Sequence, residues 1–336
     1  MTRALITGIT GMVGSHLLDY LMNNTDWEIH GLYRWRSPLD NLIHHIPEIE
    51  TRNRINLRFG DLRDTLSIFN LLESCKPDFV FHLAAQSFPK TSFESPLEAY
   101  DTNILGTERI LAATRRFSPN AVVHVCSSSE VFGRVKNEQL PISESCSFHP
   151  ASPYAISKVG TDLIGRYYAE AYGLNVVTTR MFTHTGPRRG DIFAESSFAK
   201  QIALIEAKII PPEISVGNLE SLRTWLDVRD AVKAYFLLVT KNPLKGESYN
   251  IGGSTTKTIR DILTMLIEAS NVDFEIAIRQ DKDRYRAIDA DLQVPDSSKF
   301  INHTGWSPEI SIEQTLRDLL DYWRKKVGSN QAVLSR

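Results

Sequence analysis

The stretch ALITGITGMVGSHLL, residues 4–18, passes from a short apolar, β-rich segment through three glycines into an amphipathic helical pattern. Gly8, Gly11 and Gly14 lie at the junction. Glycine allows a tight turn and close backbone approach there, and the N-terminus of the following helix attracts a diphosphate. A glycine triplet alone can be just a turn. Between the first strand and first helix of a strand–helix–strand unit it reads as a nucleotide site. The spacing is G-x-x-G-x-x-G, not the commoner G-x-G-x-x-G.

Outward from this turn, the first half of the chain alternates two periodicities. ALIT (4–7), EIHGLYR (28–34), INLRFG (55–60), DFVFHLA (78–84), AVVHVCS (121–127) and NVVTTRMF (175–182) read as strands. Between them, residues 14–24, 64–75, 95–117 and 152–173 carry apolar residues at helical spacing, the last ending on Gly173. Such alternation implies a parallel sheet covered by helices on both faces.

After about residue 184 the pattern is less regular, broken by Pro211–Pro212 and Gly252–Gly253, with helical patterns at 258–270 and 311–327. The fold expected is α/β, a Rossmann-like doubly wound parallel sheet with a smaller, interleaved α+β substrate-binding domain. The nucleotide-binding domain is placed at 1–183 plus about 224–253 and 291–302. The substrate-binding domain takes about 184–223, 254–290 and 303–328, and the tail after Gly328 is expected to fray.

Composition narrows the partners. The 336 residues are 42% hydrophobic and 23% charged, with a formal net charge of -2. That balance gives no general electrostatic case for nucleic acid or an anionic membrane. No apolar run has the length of a membrane span, and the first residues show no secretory pattern. Cys75, Cys126 and Cys146 suggest neither a disulfide framework nor a metal site. A reduced, cytoplasmic setting is expected, with no metal.

The end of the second strand selects the nucleotide. An acid there holds the ribose hydroxyls of NAD, whereas a cation accommodates the 2′-phosphate of NADP. The sequence YRWRSP (33–38) offers Arg34, Arg36 and Ser37 and no acid, which favours NADP over NAD. Thr10 lies inside the glycine turn. Asp61, followed by Leu62, suits the adenine edge, and Leu83, Ala84 and Ala85 end the fourth strand, where the sheet meets a cofactor.

YAISK places Tyr154 and Lys158 four residues apart, on one face of a helix. An ammonium near a phenol favours phenolate and lowers its pKa from about 10, so the pair can move a proton to or from a hydroxyl. Upstream, CSSSEVFG (126–133) closes an apolar strand. A carboxylate at such a place is solvated, paired or used, because burying it alone is costly.

The glycine turn, a serine at a later strand end and Tyr-x-x-x-Lys together resemble the extended short-chain dehydrogenase/reductase family over essentially the whole chain. AAQS followed by SFESP (92–96), SSSE, SPYAISK, GPRRGD (186–191) and VGNLESLR (216–223) are similar to GDP-mannose 4,6-dehydratases. SSFAKQIA, LDVRDAVKAY and TGWSPEISIEQTLRDLLDYW are similar at least as much to GDP-4-keto-6-deoxymannose reductases.

The resemblance implies a GDP-hexose substrate and internal hydride transfer through NADP. Tyr154 would take the C4 hydroxyl proton, Lys158 lower the phenol pKa, and Ser128 hold the oxygen. Glu130 would remove the C5 proton and help water leave C6. A plain 4-ketoreductase needs no second base, so Glu130 favours the dehydratase. The resemblance also sets His184 and Arg189 beside the cofactor and Ser87, Thr183 and Asn218 on the substrate side. Arg223 and Arg286 are the candidates for the substrate diphosphate, since arginine offers phosphate a fixed fork of donors. Homodimers or homotetramers are usual in the family.

Three positions depart from the dehydratase pattern. Ser128 stands where a Thr is usual and Ser197 where a Lys near the diphosphate is usual, both as in the reductases, while Thr183 stands where dehydratases and reductases alike usually have Asn. The reductase is therefore the alternative. A nucleotide-sugar 4-epimerase would not need Glu130, and a non-catalytic NADP-binding protein would not need Ser128, Tyr154 and Lys158 together.

Overall fold

The structure is a computed structural model that describes residues 1–285, 288 and 290–329. Its strands, in chain order, are β1 (Arg3–Thr7), β2 (Glu28–Tyr33), β3 (Ile55–Phe59), β4 (Phe79–His82), β5 (Val122–Cys126), β6 (Asn175–Met181), β7 (His184–Thr185), β8 (Glu213–Val216), β9 (Leu222–Asp227), β10 (Ser248–Ile251), β11 (Thr255–Thr258), β12 (Ala277–Gln280) and β13 (Leu292–Gln293). Seven of these form one sheet in the order β10-β6-β5-β4-β1-β2-β3, every neighbouring pair parallel. The order reverses between β1 and β4, the switch point beside which such sheets bind ligands.

Alternation along each strand builds the two faces. Ala4 and Ile6 of β1 pack with Ile29, Phe81 and Val177 against Leu17, Leu18 and Leu21 of the helix Met12–Asn24 and Tyr235 and Leu238 of the helix Val228–Thr240. Leu5, between them in sequence, joins Val80, Val123 and Val176 against Leu71 and Leu72 of Thr65–Cys75 and Ile110 and Leu111 of Gly106–Phe117. The doubly wound α/β expectation is met. The fourth strand stops at His82, short of the sequence reading, because the N–H groups of Leu83 and Ala84 turn to the Thr7 hydroxyl at 3.1 and 3.0 Å.

The helical stretch 95–117 is not one uniform helix. Pro96–Tyr100 and Gly106–Phe117 are joined by a π-helical turn, Asp101–Leu105. A π turn changes the register of the carbonyls and is frequent at functional sites. Here it frees the Asn103 carbonyl to accept from Thr107 Oγ1 at 2.6 Å and Thr161 Oγ1 at 3.0 Å.

The later segments form two small sheets, β7, β9, β11 and β13 around a central β9, and β8 with β12. They share a separate core with the helices Ala194–Glu206, Ile259–Glu268 and Ile312–Gly328. Phe198, Ile202 and Ile205, then Ile262, Leu263 and Leu266, then Leu316, Leu319, Leu320 and Trp323 fill it at three- and four-residue spacing. Among the described residues no helix is long and apolar enough to cross a membrane, and no group of His, Cys, Asp and Glu could hold a metal ion.

Candidate functional site

The glycine turn fits a dinucleotide on steric grounds. Gly8 has φ +73°, and a side chain there would meet the Ala84 backbone at 2.9 Å. A Cβ at Gly14 would overlap the Gly8 carbonyl, so this glycine lets helix and strand approach. Gly11 differs: a Cβ would touch only Gly8 O, at 3.4 Å. Nothing in the fold needs glycine at Gly11, and the open space there suits a ligand approaching the backbone. Gly11 caps the helix Met12–Asn24 with no side-chain hydrogen bond, and the first turn contains no acid. The helix N-terminus therefore keeps its attraction for phosphate. Thr10 is fixed through its carbonyl, which accepts from Asn41 Nδ2 at 2.9 Å.

After β2, Arg34 and Ser37 close a tight turn, Ser37 N–H on Arg34 O at 2.9 Å and Arg34 N–H on Ser37 Oγ at 3.2 Å. Arg34 and Arg36 are exposed, with no acid between them and solvent. Trp35 between them is 81% exposed and meets Phe59 edge-on. Asp61 is less available than the sequence suggests. Arg63 donates to its carboxylate at 3.2 and 3.0 Å, which lowers the acid's pKa. Leu62 turns its side chain into the core. The Leu83–Ala85 backbone, held by Thr7, lies against the glycine turn through Ala84.

The catalytic candidates meet where β5 ends and the helix Pro153–Tyr172 begins. Ser152 caps that helix by accepting from Ala155 N–H at 3.0 Å, and Tyr154 N–H donates to Ser92 Oγ at 3.0 Å. Ser128 accepts from Glu130 N–H at 3.2 Å, which folds the turn Ser129–Val131 and brings both residues to the strand end. The Ser128 hydroxyl lies near enough to the Tyr154 phenol to lower its pKa. Lys158 is buried and donates to Cys126 O at 2.6 Å.

This geometry corrects one expectation. The Tyr154 phenol has its pKa raised, not lowered: burial is the main cause, and the nearby Ser128 hydroxyl opposes it only partly. The Lys158 ammonium is directed to a carbonyl, and burial depresses its own pKa. Desolvation outweighs the charge effect expected from spacing alone.

Glu130 is paired. Its Oε1 stands 4.0 Å from Nη1 of Arg223 on β9, both side chains 13% exposed. The residue expected at a diphosphate thus faces the candidate base. Arg189 reaches the same region: its guanidinium lies 3.4 Å over the Phe193 ring, donates to Glu195 at 3.1 Å and acts electrostatically on Tyr154. His184 bonds Phe182 O, and burial depresses its pKa to about 4, so it is neutral. Ser87 is exposed and Thr183 half-buried near these groups in sequence. Asn218 Nδ2 donates to Ser221 Oγ at 3.1 Å and to Asp291 Oδ1 at 3.4 Å. Arg286 lies outside the described residues.

Sequence reasoning missed Asn103. Its Oδ1 accepts from Gln86 N–H at 2.8 Å, and its Nδ2 donates to Gln86 O at 3.0 Å and Ser157 Oγ at 2.8 Å. It joins the end of β4 to the helix carrying Tyr154 and Lys158. An asparagine in mid-helix was the available signal, since it is a poor helix former. A depression of about 250 Å³ near Leu226, Thr255 and Pro308 holds none of the catalytic candidates. The site is therefore defined by converging side chains.

A family model described as GDP-mannose 4,6 dehydratase matches residues 5–319. A GDP-mannose 4,6-dehydratase of Yersinia enterocolitica is 29% identical, covering 95% of this chain and 93% of that one. A GDP-6-deoxy-D-mannose reductase of Pseudomonas aeruginosa is 31% identical, covering 97% and 98%. The structure of RMD from Pseudomonas aeruginosa complexed with NADPH superposes with a TM-score of 0.81 at 29% identity, covering 97% of this chain and all of that one.

Proposed function

Because the chain belongs to the GDP-mannose 4,6 dehydratase family, we propose that it converts GDP-mannose to GDP-4-keto-6-deoxymannose with NADP as its cofactor. The observation that carries this reading is Glu130, a second proton-transfer group on the turn directly after β5, next to Ser128 and Tyr154. Reduction of a ketone needs one proton-transfer site. Dehydration needs in addition a base at C5 and an acid at O6.

Bound NADP supplies the hydride acceptor for C4 and the donor for C6. The chain's residues do the rest. Tyr154 takes the O4 proton, and Ser128, beside the phenol, orients O4. Burial keeps the phenol protonated in the free protein, so its activation falls to Lys158, one helical turn on, swinging from the Cys126 carbonyl. The C4 ketone acidifies C5, Glu130 takes that proton and passes it to the O6 hydroxyl, which leaves as water, and the proton held by Tyr154 returns to C5 as C6 is reduced.

Gly8, Thr10, Gly11 and Gly14 cradle the cofactor diphosphate, Arg34, Arg36 and Ser37 take the 2′-phosphate, and the backbone at Asp61, Leu62 and Leu83–Ala85 lines the adenine side. His184 and Arg189 close the nicotinamide end. Ser87, Thr183, Asn218 and Arg223 are assigned to the GDP-hexose, as is Arg286 on sequence grounds alone. The segments at about 184–223, 254–290 and 303–328 form the substrate domain. The protein works in the cytoplasm as a homodimer or tetramer. Exposed Leu97, Leu105, Ile156 and Leu163 on the helices Pro96–Tyr100 and Pro153–Tyr172 and the turn between 101 and 105 support that pairing.

The Glu130–Arg223 pair favours a second reading, GDP-4-keto-6-deoxymannose reductase, in which the carboxylate is structural. Incubation with GDP-mannose and NADP⁺, followed by mass spectrometry, separates the two. A nucleotide sugar lighter by one water, without net NADPH, supports the dehydratase. Unchanged GDP-mannose, with consumption of the 4-keto-6-deoxy sugar and NADPH, overturns it in favour of the reductase.

A further inference from the structure

Asp19 lies on the helix Met12–Asn24, about two turns on from the glycine turn, and neither the motifs nor the catalytic candidates include it. Its carboxylate holds two loops at once. His45 Nε2 donates to Oδ1 at 2.6 Å, and Arg188 Nη1 stands 2.8 Å from Oδ2. The side chains of His45 and Arg188 are each 14% exposed and that of Asp19 28%. His16, three residues earlier on the same helix face, donates from Nε2 to Pro187 O at 3.0 Å. Burial pushes His16 down to about 4, so it is neutral. Burial alone would raise the Asp19 pKa, but His45 and Arg188 outweigh it and hold the carboxyl below its ordinary value.

Each loop carries residues assigned to the cofactor or to the reacting end. His45 closes the turn Asp40–His45, which follows Arg34, Arg36 and Ser37. Asn41 of that turn donates to Thr10 O at 2.9 Å, and Asp40 accepts from Lys326 of Ile312–Gly328 at 2.6 Å. The loop is therefore tied to the glycine turn, to the helix behind it and to the second core. Arg188 belongs to the loop after β7 and has φ +69°. Side chains are uncommon there, and such backbone persists where the surroundings over-determine it. Arg188 runs to Asp19, while the next residue, Arg189, turns to Glu195 and Phe193 and acts on Tyr154.

We propose that Asp19 is a positioning residue: through His45 it fixes the loop carrying Arg34 and Arg36 for NADP, and through Arg188 it fixes Arg189 beside Tyr154. The proposal rests on the nucleotide-sugar reading above for the role of Tyr154, but not on the choice between dehydratase and reductase. An isolated surface ion pair contributes little, and it would need neither a strained arginine nor a histidine from a second loop. Arg188 Nη1 is buried without an aligned hydrogen bond, so the Asp19 charge is what compensates it. Reacting groups are sensitive to displacements of about 1 Å, and Arg189 is the residue next to this anchor.

The test compares wild type with Asp19→Asn, Asp19→Glu, His45→Gln and Arg188→Met. Calorimetry gives NADP and NAD affinities, and the thermal midpoint is read in parallel. Turnover is measured on whichever of GDP-mannose and the 4-keto-6-deoxy sugar the wild type consumes. Asp19→Asn is expected to weaken NADP about tenfold, with NAD changed less, and to lower kcat about tenfold to a hundredfold at saturating cofactor. His45→Gln falls mainly on NADP affinity and Arg188→Met mainly on kcat, and Asp19→Glu recovers part of both losses. A merely structural carboxylate would lower the midpoint of Asp19→Asn and leave its NADP affinity and kcat within about twofold of wild type, which overturns the proposal. Equal losses of both quantities in His45→Gln and Arg188→Met overturn it too. Wild type that consumes neither sugar overturns the nucleotide-sugar reading, and the NADP affinities of Asp19→Asn and His45→Gln then still decide for or against Asp19.

Discussion

Glu130 on the turn after β5 faces Arg223 on β9 across 4.0 Å, and the two come from different sheets. Arg223 faces the carboxylate at the strand end through a long ion pair. A carboxylate in that setting can accept a carbon-bound proton once the neighbouring carbon has been acidified. Glu130→Gln keeps size and hydrogen-bonding capacity but removes the base. It is expected to lower turnover by about 10²–10⁴-fold while NADP affinity stays at the wild-type value. Wild-type turnover in this variant, measured by product formation, would make the carboxylate structural.

The glycine turn separates fold from binding. A methyl at Gly14 meets backbone that cannot move aside, so Gly14→Ala is expected to destabilise by about 1–3 kcal/mol, as overpacking does. A methyl at Gly11 meets only one atom at 3.4 Å. Gly11→Ala should keep the thermal midpoint and weaken NADP binding, both measurable by calorimetry. A drop in stability equal to that of Gly14→Ala would show that Gly11 is needed by the fold itself.

Cofactor choice rests on exposed cations. Arg34→Ala combined with Arg36→Ala removes both charges from the turn after β2 and buries nothing new. NADP affinity should fall about tenfold or more, and NAD affinity should change little. Equal losses for the two cofactors would mean that the arginines support the loop and do not read the 2′-phosphate.

Stability should depend on pH through buried histidines. His82 accepts or donates only within the chain Thr7–His82–Thr107, at 2.9 and 3.1 Å, and burial depresses its pKa to about 3. Unfolded, it returns to about 6.5. Between those values the unfolded state binds the extra proton, so stability is fully present above about pH 6.5 and is lost as pH falls toward 3. His124, depressed to about 3 on the neighbouring strand, acts in the same sense. Denaturant unfolding from pH 7 to 4.5 should show the decline, and His82→Gln should flatten it by about 1.4 kcal/mol per pH unit. An unchanged slope in that variant would place the proton uptake elsewhere.

Much of this was legible because it is local chemistry. Gly8 and Gly14, the Tyr154–Lys158 spacing and the acid-free turn after β2 each declare themselves within a few residues. What stayed hidden depends on distant strands. The Arg223 partner of Glu130, the Asn103 link between β4 and the catalytic helix, and the reach of Arg188 to Asp19 are all tertiary contacts without local periodicity. The Tyr154 pKa went the other way for the same reason, because spacing shows which charge is near but not how much water burial removes.

The most direct measurement starts from GDP-mannose deuterated at C4, with a catalytic amount of NADP⁺, and reads the product by mass spectrometry and proton NMR. The account predicts a 4-keto-6-deoxy sugar nucleotide, one water lighter, with the deuterium retained at C6. A product of unchanged mass, or deuterium lost to a pool of reduced cofactor, would contradict it.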